Sequence, residues 1–300
     1  MRITLHIGAH HTRTPRLVSA INAGKKAFAR ENIFAPGPAS YRPIISKALS
    51  QLDGLPPIDE EEDAVLAEIL GDKTDAEHLI MINEDWAGER ALMFKGAQLY
   101  TNIGETVQRV AELFSKHELR ISMAIRNPAF LINAAQTVKV PPISLKWFLK
   151  SNDPMDLSWQ APVDQVQKVL PNAKITMWCE EDTPLIWPRI LRKIAGLPED
   201  APVRGALLAI EDALKPEGVA RLRTFLRNHT LSTPQQYERS ILAFLDKYAD
   251  ETVMSAACSV PGWTGQTVYD LSQNYEGDIT ALSKREGIDF ILPYTQDDLA

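Results

Sequence analysis

The chain has 300 residues, a net charge of −7, 45% hydrophobic residues and 24% charged ones, enough apolar content for one large α/β domain. The acidic balance excludes a broad nucleic-acid surface, which needs clustered Lys and Arg. No run approaches the roughly 18 apolar residues of a membrane helix, and the N-terminus lacks the charged and apolar regions of a signal peptide, so a cytoplasmic protein without a membrane span is expected. Cys179 and Cys258 are the only cysteines and lie far apart, which suggests neither a disulfide framework nor a zinc site.

In chain order, Ile3, Leu5 and Ile7 alternate as a buried strand, Gly8 permits a sharp turn, and Pro15 has the φ of a first helical position. Leu17, Val18, Ile21 and Phe28 then fall on one helical face. Between strand and helix stand His10, His11, Thr12, Arg13 and Thr14, beside a helix N-terminus whose partial positive charge suits an anion. The Walker pattern G-x-x-x-x-G-K-[ST], counted from Gly8, meets Arg13, Thr14 and Pro15 instead of Gly, Lys and Ser/Thr, so this is no Walker loop. An ordinary βα turn with scattered polar residues is the competing reading.

Asp59 to Asp63 follow Pro56-Pro57 and precede Ala64, Val65, Leu66 and Ile69, the pattern of a solvated acidic first helical turn. A strand from Leu79 ends in Glu84 and Asp85, each a candidate general base or a helix cap, with His10 and His11 as rival bases. Glu105 to Lys116 reads as a helix with Val107, Val110, Ala111 and Phe114 on one side. The apolar strand from Leu119 ends in Arg126-Asn127-Pro128, where a guanidinium suits a terminal phosphate or pairs with a carboxylate. Lys139 to Pro162 is rich in Pro and Trp, with Val140, Pro141, Ile143, Trp147 and Trp159, and is either a specificity-bearing lid or apolar packing on the core.

Pro171 to Asp182 reads as a turn, a strand with Cys179 in the core, and an acidic strand end; Pro188 to Gly196 reads as a helix closed by glycine. Residues 204 to 250 are helical in pattern. Thr233 to Gln236 suggests a capping box, and Tyr237, Ile241, Leu245 and Tyr248 share a face. Leu222, Phe225 and Leu226 stripe the preceding helix, with Arg221, Arg223 and Arg227 on a solvated face, so this segment is expected to be an insertion packed on the sheet. Alternating strands and helices imply a parallel sheet.

Several of these segments together resemble the sulfotransferase family. His6 to Pro15 is similar to the 5′-phosphosulfate loop that bacterial members write H-I-G-x-H-K-T-G-T-T, agreeing at seven of ten positions. The departures are His11 for Lys, Arg13 for Gly and Pro15 for Thr. The strand ending at Arg126 resembles the 3′-phosphate segment, with Ala134 where a Ser is usual and Asn133 as a neighbouring amide. Leu79 to Asp85 resembles the strand that finishes in Ser-Ser-Glu, and Tyr275 to Ile279 and Gly287 to Pro293 resemble the family's closing helix and segment, so the likeness covers most of residues 1 to 293.

The resemblance implies a P-loop NTPase-like three-layer sandwich, one domain over residues 1–300 with a central parallel sheet and a helical insertion at 204–250. It also implies in-line transfer of a sulfuryl group from 3′-phosphoadenosine 5′-phosphosulfate, as co-substrate, to an unidentified hydroxyl or amine, with no metal. Thr12, Thr14 and the loop N–H groups then hold the 5′-phosphate, with Arg13 or His11 stabilising the leaving charge. Arg126, with Asn133, holds the 3′-phosphate, and Glu84, Asp85 or His10 is the base. In the acceptor region of the family stands the 139–162 segment. The departures carry consequences: imidazole is mostly neutral at pH 7, a Cβ at position 13 disfavours positive φ, and Pro15 removes a donor. Because all of them weaken one ligand's site, the alternative is a catalytically silent member serving as a nucleotide-binding or protein-interaction module.

Overall fold

A computed structural model describes residues 1–138, 142–231, 233–254 and 258–299. Strand β1 (Arg2–His6) runs through the 7–13 loop into helix α1 (Thr14–Phe28), then come β2 (Ile33–Phe34), α2 (Pro38–Leu52), α3 (Asp59–Leu70) and β3 (His78–Ile82). A small hairpin, β4 (Phe94–Lys95) and β5 (Gln98–Leu99), precedes α4 (Ile103–Glu112), β6 (Glu118–Ile125) and α5 (Pro128–Thr137). Next are α6 (Ile143–Ser151), α7 (Gln160–Val169), β7 (Lys174–Cys179) and α8 (Thr183–Ala195). The chain ends through α9 (Leu208–Glu211), α10 (Pro216–Asn228), α11 (Pro234–Tyr248), α12 (Glu251–Met254), α13 (Gly265–Ser283), β8 (Ile288–Ile291) and α14 (Gln296–Leu299).

The expected parallel sheet has six strands in the order β2-β3-β1-β6-β7-β8. Ile3 sits beside Leu79 of β3 and Leu119 of β6, so the first strand occupies the middle. Both faces of the sheet are covered, which is what parallel strands require. Ile3, Leu5, Met81, Ile121, Met123 and Met177 join one core, with the apolar side chains of α4, α7 and α13. Ile80, Ile82, Ala124 and Trp178 join the other, with Leu17 and Ile21 of α1 and Ile186 and Ile190 of α8. The polar positions of β1 are paired inside the sheet: Thr4 Oγ1 lies 2.8 Å from His78 Nε2 and His6 Nδ1 lies 3.2 Å from Ser122 Oγ.

Four expectations change on the structure. Glu62 is buried, accepting from Ser115 Oγ at 2.8 Å, so the acidic first turn of α3 is not solvated throughout. The helix read from Pro188 begins at Thr183, because Pro184 occupies its first turn, where no intrahelical N–H is needed, and Pro188 is accommodated inside it; Gly196 still ends it at φ 66°. The helices of residues 204–250 lie against α8 rather than on the sheet, sharing Leu185 with it. Glu84 and Asp85 fall beyond β3, in a 3₁₀ turn (Glu84–Ala87).

Thr233 Oγ1 accepts the Gln236 N–H at 3.2 Å, as its capping pattern implies. Of the two tryptophans in the Pro-rich segment, Trp159 is fully buried and Trp147 is 65% exposed, while Lys139, Val140 and Pro141 lie outside the described residues. Among the described residues no helix is long and apolar enough to cross a membrane.

Candidate functional site

Loops leaving the carboxyl ends of β1, β3, β6 and β7 converge, which is where open α/β sheets place ligands. The β1 loop is anchored by a continuation of the sheet ladder: Ile7 N–H donates to Ser122 O (3.0 Å), Ala9 N–H to Ala124 O (2.8 Å), and Asn83 N–H to His6 O (2.9 Å). Gly8 turns at φ 117°, and a Cβ there would stand 3.3 Å from the Glu84 carbonyl oxygen, so this turn needs glycine on both grounds. The convergence gathers His10, His11, Thr12, Arg13, Thr14, Glu84, Asp85 and Arg126 from three of these loops.

His10 is buried and both its ring nitrogens are engaged: Nε2 lies 3.1 Å from Asp85 Oδ1 and Nδ1 lies 3.1 Å from Tyr100 Oη. A carboxylate only accepts, so the network assigns the Nε2 proton to the Asp85 bond, and Tyr100 then donates to Nδ1. The Tyr100 oxygen in turn accepts the His10 backbone N–H at 3.0 Å. The bond from His10 holds the Asp85 carboxyl below its usual range, and burial pushes the Tyr100 phenol up. Tyr100 itself stands at φ 47°, an unusual conformation for an aromatic residue, with its ring stacked on His10 and on Trp159, each 5.9 Å between centroids. Trp159 Nε1–H closes the chain by donating to the Arg126 carbonyl at 2.7 Å.

The loop cations are paired within the protein. Arg13 Nη1 lies 2.5 Å from Glu180 Oε1 and donates to the Glu180 carbonyl at 3.1 Å, and the Arg13 backbone N–H donates to Glu180 Oε2 at 3.0 Å. Arg13 is the N-cap residue of α1, so the Glu180 carboxylate sits at that helix's start. Burial pushes the Glu180 carboxyl up while Arg13 pulls against it. Arg126 Nη1 donates to the His11 carbonyl. His11 stands at φ 59° with Nε2 buried and without a hydrogen-bond partner among the described residues, and burial, followed by His10, Arg126 and Arg90, lowers its pKa to about 4. It is therefore neutral at pH 7. Thr12 Oγ1 donates to Ala9 O at 2.7 Å and meets Thr14 Oγ1 at 3.2 Å. Among the described residues, the N–H groups of His11, Thr12 and Thr14 take no partner, leaving three donors where α1 begins.

Glu84 places its backbone against Gly8, and Asp85 is the outer end of the histidine chain. Asn133 is bound elsewhere: its Oδ1 accepts the Ser259 N–H at 3.0 Å and Gln136 Nε2 at 3.4 Å, tying α5 to the 258–260 segment. Tyr100, which the sequence reading leaves out, completes the cluster with Trp159, read only as part of a Pro- and Trp-rich segment, and Glu180, read only within an acidic strand end. A cavity of about 450 Å³ between α8, α10 and α11 and another of about 480 Å³ beside the amino ends of β6 and β7 both lie away from residues 7–14 and 126. Within the cluster the Arg13 donors face the Glu180 carboxylate, while Arg126 donates to the His11 carbonyl and Thr12 to Ala9 O. Chemically, it offers a hydrogen-bonded Asp–His–Tyr chain and a set of backbone and guanidinium donors suited to an oxyanion. Compared with protein-family models, with curated proteins and with solved structures, the chain matches none.

Proposed function

We propose that the chain is a sulfotransferase-like protein of the P-loop type whose crevice at the carboxyl ends of β1 and β6 takes 3′-phosphoadenosine 5′-phosphosulfate. The observation that carries this reading is the meeting of Arg126 with the carbonyl of His11 across 115 residues of sequence. Those are the two segments whose residues resemble the family's 3′-phosphate and 5′-phosphosulfate ligands. The position of β1 in the middle of a parallel sheet, between β3 and β6, supports the same assignment. In this reading the free N–H groups of His11, Thr12 and Thr14, the Thr12 hydroxyl and Arg126 hold the nucleotide's phosphates. In the transfer step an acceptor hydroxyl or amine attacks sulfur, the bond from sulfur to the 5′-phosphate oxygen breaks, and the acceptor proton passes to a base. Asp85 and Glu84 are the carboxylates at the mouth, and His10 stands behind Asp85.

The pairing of Arg13 with Glu180 favours a second reading, a silent fold that binds no sulfuryl donor. Isothermal titration with adenosine 3′,5′-bisphosphate separates the two, run beside the Arg126→Ala variant and with ATP as a control for generic anion binding. The donor reading expects micromolar affinity, about −8 kcal/mol, lost in the variant and absent for ATP. No heat and no competition at millimolar ligand would overturn it in favour of the silent fold.

A further inference from the structure

We propose that Glu180 is an internal competitor for the donor's phosphate and so sets the affinity of this crevice. This rests on the donor reading above. The Glu180 carboxylate uses the donors a bound oxyanion would use: one oxygen takes the Arg13 N–H at the start of α1, the other takes the Arg13 guanidinium. Its own position is rigid, because Glu180 N–H extends the sheet ladder to Ile125 O at 2.7 Å and Thr183 Oγ1 lies 3.5 Å from Oε2. The side chain is 8% exposed and Arg13 is 24% exposed, so the pair is only weakly screened by solvent. In the same loop, His11 Nε2 is buried and has no hydrogen-bond partner among the described residues.

Two consequences follow from charge alone. An arriving phosphate meets a fixed negative charge beside the helix start, and it gains the Arg13 donors only after the carboxylate gives them up. Removing the charge while keeping the shape relieves both costs. Charge-assisted hydrogen bonds of this kind are strong enough for an effect of at least about tenfold in affinity.

The experiment is titration of the full chain with adenosine 3′,5′-bisphosphate in the wild type, Glu180→Gln and Glu180→Asp, with thermal unfolding of each to confirm the fold. Glu180→Asp keeps the charge but withdraws the carboxylate by one carbon, and it supplies the reading if Glu180→Gln does not fold. The expected result is binding about tenfold or more tighter in Glu180→Gln, with a smaller gain in Glu180→Asp. Equal or weaker binding in the folded variants, beside measurable wild-type binding, overturns the competitor role and leaves the donor reading standing. Silence in the wild type and in both variants overturns the donor reading and the competitor role with it. Binding that emerges only in Glu180→Gln supports the competitor role, in a crevice that the wild-type carboxylate keeps silent.

Discussion

Tyr100→Phe isolates one oxygen atom. The substitution keeps the ring stacked between His10 and Trp159 and keeps the residue's unusual backbone angle, and it deletes the hydroxyl that serves the His10 N–H at 3.0 Å and Nδ1 at 3.1 Å. His10 and Tyr100 are 1% and 2% exposed, so water does not replace the lost partner. Leaving a buried polar group unpaired costs about 1–3 kcal/mol. With two groups orphaned and partial relaxation, the expected loss is about 3 kcal/mol, which at roughly 2 °C per kcal/mol for a large domain lowers Tm by about 6 °C. Urea unfolding followed by circular dichroism measures it, with Tyr269→Phe at an exposed tyrosine as the control expected within about 0.5 kcal/mol. A loss below about 0.5 kcal/mol for Tyr100→Phe, with an unchanged denaturant slope, would refute the claim that this hydroxyl holds His10.

Stability should also fall with acid. Burial lowers His6 to about 3 and His78 to about 4 from an ordinary 6.5, so as pH drops the unfolded chain takes up these protons first. Their contribution is complete above pH 7 and declines from 6.5 towards the folded values, by about 2 kcal/mol per histidine between pH 7 and 5. Asp182, raised to about 6 by burial, works in the opposite sense and returns about 1 kcal/mol over the same interval. Urea midpoints at the two pH values should therefore converge in His6→Gln relative to the wild type, and an identical drop in both would count against the linkage. At the chain's other end, Glu238 is buried and takes Arg189 Nη1 at 3.0 Å and the Tyr294 N–H at 2.9 Å. Glu238→Ala should cost about 3 kcal/mol and speed proteolysis beyond Leu292; an unchanged midpoint and cleavage rate would show that this clasp contributes nothing.

What the sequence discloses follows the range of the interactions involved. The β1 strand, the turn at Gly8 and the helix behind Pro15 depend on neighbours a few residues away, and their pattern is visible locally. Arg126 is visible because a strand end is a local event. The partners that hold these loop residues are not: Glu180 lies 167 residues from Arg13, and Tyr100 lies 90 from His10, with nothing in the spacing to join them. Trp147 and Trp159 carry the same side chain in one Pro-rich stretch, and only the placement of α6 and α7 sends one to solvent and the other beneath Tyr100. The helices of 204–250 show their periodicity plainly, but their partner does not, because α8 is apolar on the side facing the sheet and again at Leu185.

The central position of β1 has a consequence for how the protein is made. Its neighbours and the residues that close its loop are all encoded later: β3 at residue 78, β6 at residue 118 and Glu180 after β7. At ribosomal rates of about 5–20 residues per second, the 167 residues separating Arg13 from Glu180 take on the order of ten to thirty seconds to appear. During that time the nascent chain carries an unpaired strand edge and an uncompensated arginine at the start of α1. A strand written before its partners is thus among the last to be finished, and its early exposure is the interval in which a holding chaperone or a stray strand would find it.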